Sequence, residues 1–209
     1  MTLGRSILHK GRPISLNRYN VSEACLHIYW KQGLNNISYN DVIKTSKLSK
    51  GSYYKLFDNE DDLHSETLIN YRNNDVNLLF HELSHAEDLF QFLSTLKNWK
   101  FKNDVKYCYF FVAYVEKYKL GIKTRKTISN IESKYKSLLS KITKKHIKKH
   151  DIKKSNLDIK QIANFIFNGL VLINLFYRNK SSQVNINSYK KSLYQFISNL
   201  NINKNDYMI

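Results

Sequence analysis

The sequence predicts an all-α protein, with a small N-terminal domain of three short helices and a larger helical domain behind it. Three observations carry that expectation. One proline and six glycines in 209 residues are too few turn-formers for the frequent reversals of a β-sandwich or barrel. Apolar residues make up 42% of the chain, which is enough for a sizeable core and more than a disordered basic tail carries. Those residues recur at helical spacing in one segment after another.

Over residues 18–32, Val21, Ala24, Cys25 and Ile28 form one apolar stripe, and Gly33 closes the helix as a C-cap glycine. Ser38 with Asp41 three residues on is a capping-box pattern that opens a short helix at 39–46. Ser46-Lys47-Leu48 makes a tight turn, and Ser49 is the N-cap of a third helix at 50–56. The run Asp58-Asn59-Glu60-Asp61-Asp62 opens a long fourth helix, its acids at the positive end of the helix dipole. Further helices are expected at 89–99, 103–118, 124–150, 158–178 and 187–200. The segment 158–178 is apolar nearly all round, so it must be buried on more than one side. Gly169 in its middle is justified by a close helix crossing. No repeat or low-complexity linker is present. A domain at 1–60, with a basic arm at 1–17, therefore joins a helical domain at 61–209 through one long helix.

The formal charge is +17, from 34 basic and 17 acidic side chains. It is unevenly placed: residues 1–60 carry nine basic and four acidic groups, residues 61–120 seven and nine, residues 121–180 fifteen and three. Such a balance attracts polyanions, nucleic acid first. A Lys-rich composition raises it everywhere, however, and the basic segment 123–160 reads as a solvated face. Two cysteines, Cys25 and Cys108, cannot build a disulfide scaffold and suit a reducing compartment. The N-terminal stretch lacks the apolar core of a secretory signal. The longest apolar run, 162–177, is too short for a membrane span and is interrupted by asparagines. A cytoplasmic protein without a membrane partner is expected.

Three short helices within 18–57, two of them separated by a few residues, have the shape of a helix-turn-helix, with Ile37, Leu48 and Phe57 as its core. The residues from Ala24 to Leu63 resemble the DNA-binding domain of the TetR family of transcription regulators. That pattern runs from an alanine in the first helix through Gly plus a bulky residue, Ser or Thr, and an apolar pair to S-K-G-T-L-Y-x-x-F-x-x-K-E-x-L. Here it is met by Ala24, Gly33-Leu34, Ser38, Val42-Ile43 and the stretch Ser49-Lys50-Gly51-Ser52-Tyr53-Tyr54-Lys55-Leu56-Phe57, ending at Leu63. The leading Gly11-Arg12-Pro13 and Trp30 resemble one branch of the family, as do Cys108 before an apolar stretch ending in Glu116 and Gly169 in its apolar helix. Two positions depart from the pattern: Glu60 stands where the family usually has a phosphate-touching lysine, and Leu56 where Tyr or His is common.

The resemblance implies an all-α homodimer with a ligand cavity in the C-terminal domain, acting as a repressor on a palindromic double-stranded operator. It places Lys50, Gly51 and Ser52 at base edges, where lysine donates to guanine and serine donates or accepts. Ser38, Lys47, Ser49, Tyr53, Tyr54 and Lys55 fall to the DNA backbone and the helix start, and Arg12 to the minor groove. The aromatics Trp99, Tyr107, Phe110, Phe111, Tyr114, Phe165 and Phe176 are the candidates for lining an effector cavity. No cofactor, metal or catalytic residue is expected. The rival readings are an architectural or cell-division DNA-binding protein on the same fold, and a zinc hydrolase using His81-Glu82-Leu83-Ser84-His85, which matches H-E-x-x-H but lacks the usual third ligand. His146 and His150 share a helix face crowded with lysines, which suits solvent rather than a cation.

Overall fold

The computed structural model describes residues 17–45, 49–101, 105–152 and 158–200. The secondary structure among them is helical throughout: α1 (Arg18–Gln32), α2 (Tyr39–Thr45), α3 (Lys50–Tyr54), α4 (Glu60–Tyr71), α5 (Asn77–Ser84), α6 (Leu89–Asn98), α7 (Tyr109–Glu116), α8 (Ile122–Lys149), α9 (Ile159–Arg178) and α10 (Gln183–Asn199). The all-α expectation holds. The long fourth helix is α4 and α5 joined by a π-helical turn at Arg72–Val76. There Asn74 Nδ2 donates to Tyr19 Oη at 2.8 Å and to Glu23 Oε1 at 3.1 Å, tying the wide turn to α1.

Several boundaries move, each for a local reason. The helix expected at 103–118 begins only at Tyr109. Before it, Tyr107 gives its carbonyl to Trp30 Nε1 at 2.9 Å, and the Cys108 amide donates to Asn174 Oδ1 at 2.7 Å, so this backbone is committed to neighbouring elements. Helix α10 starts four residues earlier than expected because Ser182 caps it, accepting from the Asn185 amide. Helix α9 is longer than the apolar run in the sequence. Its 20 residues are long and apolar enough to cross a membrane by length and composition. It packs instead against α7, α8 and α10, burying Ile162, Ile166, Phe167 and Leu170. At its centre Gly169 lies under Leu193 of α10; a Cβ there would stand 3.2 Å from a Leu193 methyl. That is the close crossing the glycine predicted.

The basic face expected around His146 is corrected. His146 is fully buried between α6 and α8, edge-on to Phe90 with ring centroids 5.3 Å apart. The lysines around it in sequence turn outward, and Lys149 reaches Asp88 Oδ2 at 2.5 Å.

The small domain is fastened to the large one at both ends of α1. At the start, the Arg18 guanidinium forks onto the buried Asp62 carboxylate at 2.8 and 2.9 Å, reaches Glu66 at 3.2 Å and the Leu56 carbonyl, and lies over the Phe57 ring. Arg18 holds the Asp62 carboxyl well below the usual carboxylate range. Lys123 of α8 makes a second ion pair with the same carboxylate. Asp61 beside it caps α8 from outside, accepting from the Lys123 amide at 2.9 Å and the Thr124 amide at 3.0 Å. Burial works against that carboxylate, but the bonds from Thr124 and Lys123 prevail and lower its pKa. A Cβ at Gly121 would overlap Asp61, which is why glycine precedes α8.

At the other end of α1, Gly33 has φ +94°, a region side chains rarely adopt. The turn it makes presents the Leu34 and Asn35 amides to Glu116 Oε2 at 2.8 and 3.1 Å. Arg178 closes the clasp, donating to Glu116 Oε1 at 3.0 Å and to the Gln32 carbonyl at 3.2 Å.

Two expected outcomes follow from this packing. Gly33→Ala combines a forbidden backbone angle with a Cβ that overlaps both Arg178 and Glu116, and it should lower the unfolding free energy in urea by about 1–3 kcal/mol. An unchanged urea midpoint would refute the clasp. Burial also lowers the pKa of His64 and His146 to about 4, with the neighbouring His150 adding to the effect at His146. The unfolded chain protonates these rings near 6.5. Between pH 6.5 and about 4 the unfolded state therefore binds more protons, and stability falls as pH falls across that window. Urea midpoints should show that decline, and His146→Phe should flatten part of it.

Candidate nucleic-acid interface and ligand cavity

The three N-terminal helices close on a core of Trp30, Leu34, Val42, Ile43, Tyr53 and Phe57, each under 5% exposed. Ile37 is half-buried against it, and Leu48 lies outside the described residues. Ser38 opens α2, accepting from the Asp41 amide at 3.2 Å and donating to Asp41 Oδ2 at 2.5 Å. Ser49 caps α3 by accepting from the Ser52 amide at 3.0 Å, and the two hydroxyls meet at 2.7 Å. A phosphate reached by Ser38 must therefore displace Asp41, and a base reached by Ser52 must share it with Ser49.

The remaining expected contacts divide by exposure. Lys50, Gly51, Tyr54 and Lys55 are exposed together on and just after α3. A Cβ at Gly51 would meet nothing within 4 Å, so the helix start is open to a surface laid against it. Tyr54 is 61% exposed, its ring propped against Tyr39 and Tyr53. Tyr53 is a correction. It is 1% exposed, its hydroxyl donates to the Asn59 carbonyl at 3.0 Å, and its ring packs on Tyr39 and Phe57. It supports α3 from inside and reaches no solvent. Arg12 and Lys47 lie outside the described residues. Lys44 is likewise exposed, in the last turn of α2.

Glu60 begins α4, where the resemblance expects a phosphate-binding lysine. It is half-buried, burial raises its carboxyl pKa, and Oε1 stands 3.7 Å from His64 Nε2. Its carboxylate is thus turned toward the buried His64 of its own helix, with 43% of the side chain still exposed.

The H-E-x-x-H segment spans the end of α5. Helix α5 ends at Ser84, and His85 turns back so that its Nδ1 lies 2.8 Å from the His81 carbonyl. Both rings are exposed, and among the described residues no three His, Cys, Asp or Glu side chains group to hold a metal.

A cavity of about 1030 Å³ opens in the large domain between α6, α7, α8, α9 and α10. Of the expected aromatics, Trp99 and Phe111 line it. The others are corrected. Phe110 is fully buried and stacked on Tyr135 at 5.4 Å, behind the lining rather than in it. Tyr107 contributes its carbonyl to Trp30, and Tyr114 packs on Phe167. Phe165 is 46% exposed and lies on Phe196, while Phe176 packs on Tyr189. The walls the sequence did not reveal are Phe90, Phe101, Tyr135, Tyr177 and Tyr194. The helix holding Tyr135 was expected, but helical periodicity gives a helix's buried face and not the void beside it.

No family model and no curated protein matches the chain. Solved structures do. A TetR-family transcriptional regulator from Cytophaga hutchinsonii superimposes with a TM-score of 0.72 at 18% identity, over 89% of this chain and 95% of that one. A cysteine mutant of the TetR-family regulator CifR, solved with a 26-base-pair operator duplex, gives 0.67 at 15% identity, over 88% and 98%. FadR from Bacillus subtilis, a transcriptional regulator solved with stearoyl-CoA, gives 0.63 at 14% identity, over 87% and 96%. The chain has the fold of the TetR-family regulators over most of its length.

The two adjacent tyrosines make a discriminating pair. Tyr53→Phe removes one part-buried hydrogen bond and should lower stability by about 1 kcal/mol without altering DNA affinity of the folded protein. Tyr54→Phe should leave the urea midpoint unchanged and weaken DNA binding. The reverse pattern would put the wrong tyrosine on the surface.

Proposed function

We propose that the chain is a DNA-binding transcription regulator that acts as a homodimeric repressor and is released by a small ligand. The single observation carrying this reading is the exposed set Lys50, Gly51, Tyr54 and Lys55, held by the Ser49 cap at an open helix start in a helix-turn-helix. The likeness to a regulator solved on operator DNA supports it, and the likeness to one solved with an acyl-CoA supports a ligand in the cavity. A second copy suits the outer face of α9 and α10. There Phe165 is 46%, Leu172 39% and Val184 75% exposed in the monomer, apolar surface that a helix-pair interface would cover.

In a dimer the two α3 helices would enter successive major grooves, their half-site centres about one DNA turn, roughly 34–36 Å, or a multiple of it apart. A ligand shifts that spacing only by its differential affinity for the two geometries. The walls of the cavity include α7 and α9, and these helices also carry Glu116 and Arg178, which hold the turn between α1 and α2. Movement of either wall is thereby transmitted to the domain that meets DNA.

Selection of bound genomic fragments followed by footprinting tests the reading. A palindromic site is expected, bound by a dimer. Lys50→Ala should weaken it with the dimer intact, and Lys55→Ala should weaken all sequences alike and reduce the salt slope by about one. If no sequence is enriched, or both variants bind as wild type does, the reading fails. Enrichment of many unrelated sites with no response to ligand would instead identify an architectural protein.

A further inference from the structure

We propose that the cavity takes an amphiphilic organic anion, a ligand with an apolar body and one anionic end. The inference rests on the reading of the cavity as an effector site and names the chemistry it would select. The deep wall is apolar and aromatic, built around Phe111, Tyr135, Leu170 and Leu193. Four lysines also line the cavity, and among its described lining residues there is no aspartate or glutamate. Lys97 comes from the last turn of α6, Lys100 and Lys106 from the segment between α6 and α7, and Lys190 from α10.

Lys97, Lys100 and Lys106 are exposed and mark the mouth. Lys190 is half-buried, its ammonium donating to Tyr177 Oη at 2.6 Å and lying 4.9 Å from that ring's centroid. It is therefore positioned by a neutral partner, and its charge is left for a ligand. The nearby acids are otherwise engaged: Glu87 and Asp88 at the start of α6 pair with Lys145 and Lys149.

Four like charges lining one cavity, with no carboxylate among its described lining residues, favour an anionic end and oppose a cationic one. The apolar wall in turn selects against a small hydrated anion, which has no surface to bury there. The volume of about 1030 Å³ stands at the upper end of the roughly 300–1,000 Å³ usual for small-molecule sites, which suits a long or fused-ring body. A carboxylate and a phosphate monoester both satisfy the lysines, so the shared chemistry is the anionic head.

The test compares ligands of one chain length and different heads. Binding of dodecanoate, dodecyl phosphate, dodecyltrimethylammonium and acetate to the purified full-length protein is measured by calorimetry below micellar concentrations, without DNA. At least one twelve-carbon anion should bind tenfold or more tighter than the cation, and acetate should not bind measurably. Which of the two anions binds more tightly separates a carboxylic acid from a phosphate ester as the natural head.

Lys97→Gln/Lys100→Gln/Lys190→Met should bring the anion and cation affinities together. Ser94→Trp, at an exposed position lining the cavity, should abolish binding of all four with the helical circular dichroism spectrum retained. Equal affinities for anion and cation, failure of every probe to bind, or binding insensitive to the lysine changes would overturn the proposal. A lysine-dependent anion that binds but leaves operator affinity unchanged would uphold the ligand class and refute the effector reading.

Discussion

Two adjacent carboxylates hold the molecule together. Asp62 is taken by Arg18 of α1 and Lys123 of α8, and Asp61 closes the first amides of α8. Three helices from two domains therefore meet at one turn. Burying a carboxylate is costly unless its oxygens are filled, and here they are: Asp62 accepts from Arg18, Lys123 and the Asp58 amide. Removing Asp62 would free Arg18, Lys123 and the Asp58 amide together, so the joint behaves as a unit. The position of α3 relative to the large domain depends on it, because the segment from Tyr54 to α4 passes directly over Arg18.

The Glu116–Arg178 clasp is the counterpart at the far end of α1. With both in place, α1 is a strut fixed at its two ends to α4 and α8 on one side and to α7 and α9 on the other. The helix-turn-helix hangs from that strut rather than from α4 alone. An isolated exposed ion pair contributes little to stability, but these pairs also satisfy backbone groups at a helix start and a helix end. Their specificity lies in those amides and carbonyls as much as in the opposed charges.

Most of the fold was legible in the sequence because it depends on local signals. Asn17, Gly33, Ser38, Ser49 and Asn59 act within three or four residues of the helix ends they define, and α1 emerged with the expected limits. The misreadings are of another kind. Asp61 and Asp62 looked like acids serving the dipole of their own helix, yet their side-chain and α8 partners lie 44 to 63 residues away. Tyr53 and Tyr54 are adjacent on a short helix, and only the packing of Tyr39 and Phe57 decides that one faces inward. His146 sits among lysines in sequence but faces Phe90 in space. Five of the seven aromatics assigned to the cavity were correctly apolar and wrongly placed. A void is bounded by several helices at once, and no single helix's periodicity contains it.

The excess positive charge takes on a different meaning in three dimensions. The acid-rich stretch 61–120 and the lysine-rich helix α8 lie against each other, joined through Asp62–Lys123, Glu87–Lys145 and Asp88–Lys149. Part of the imbalance between those segments is thus complementarity within the molecule. Lys126, Lys134, Lys141, Lys144 and Lys148 remain exposed on α8, and exposed lysines of this kind raise the general attraction to polyanions without reading any sequence. On the function proposed above, the charge that bears on recognition is a much smaller set, Lys50 and Lys55, both exposed at an open helix start, where geometry rather than the total decides which groups a lysine can reach.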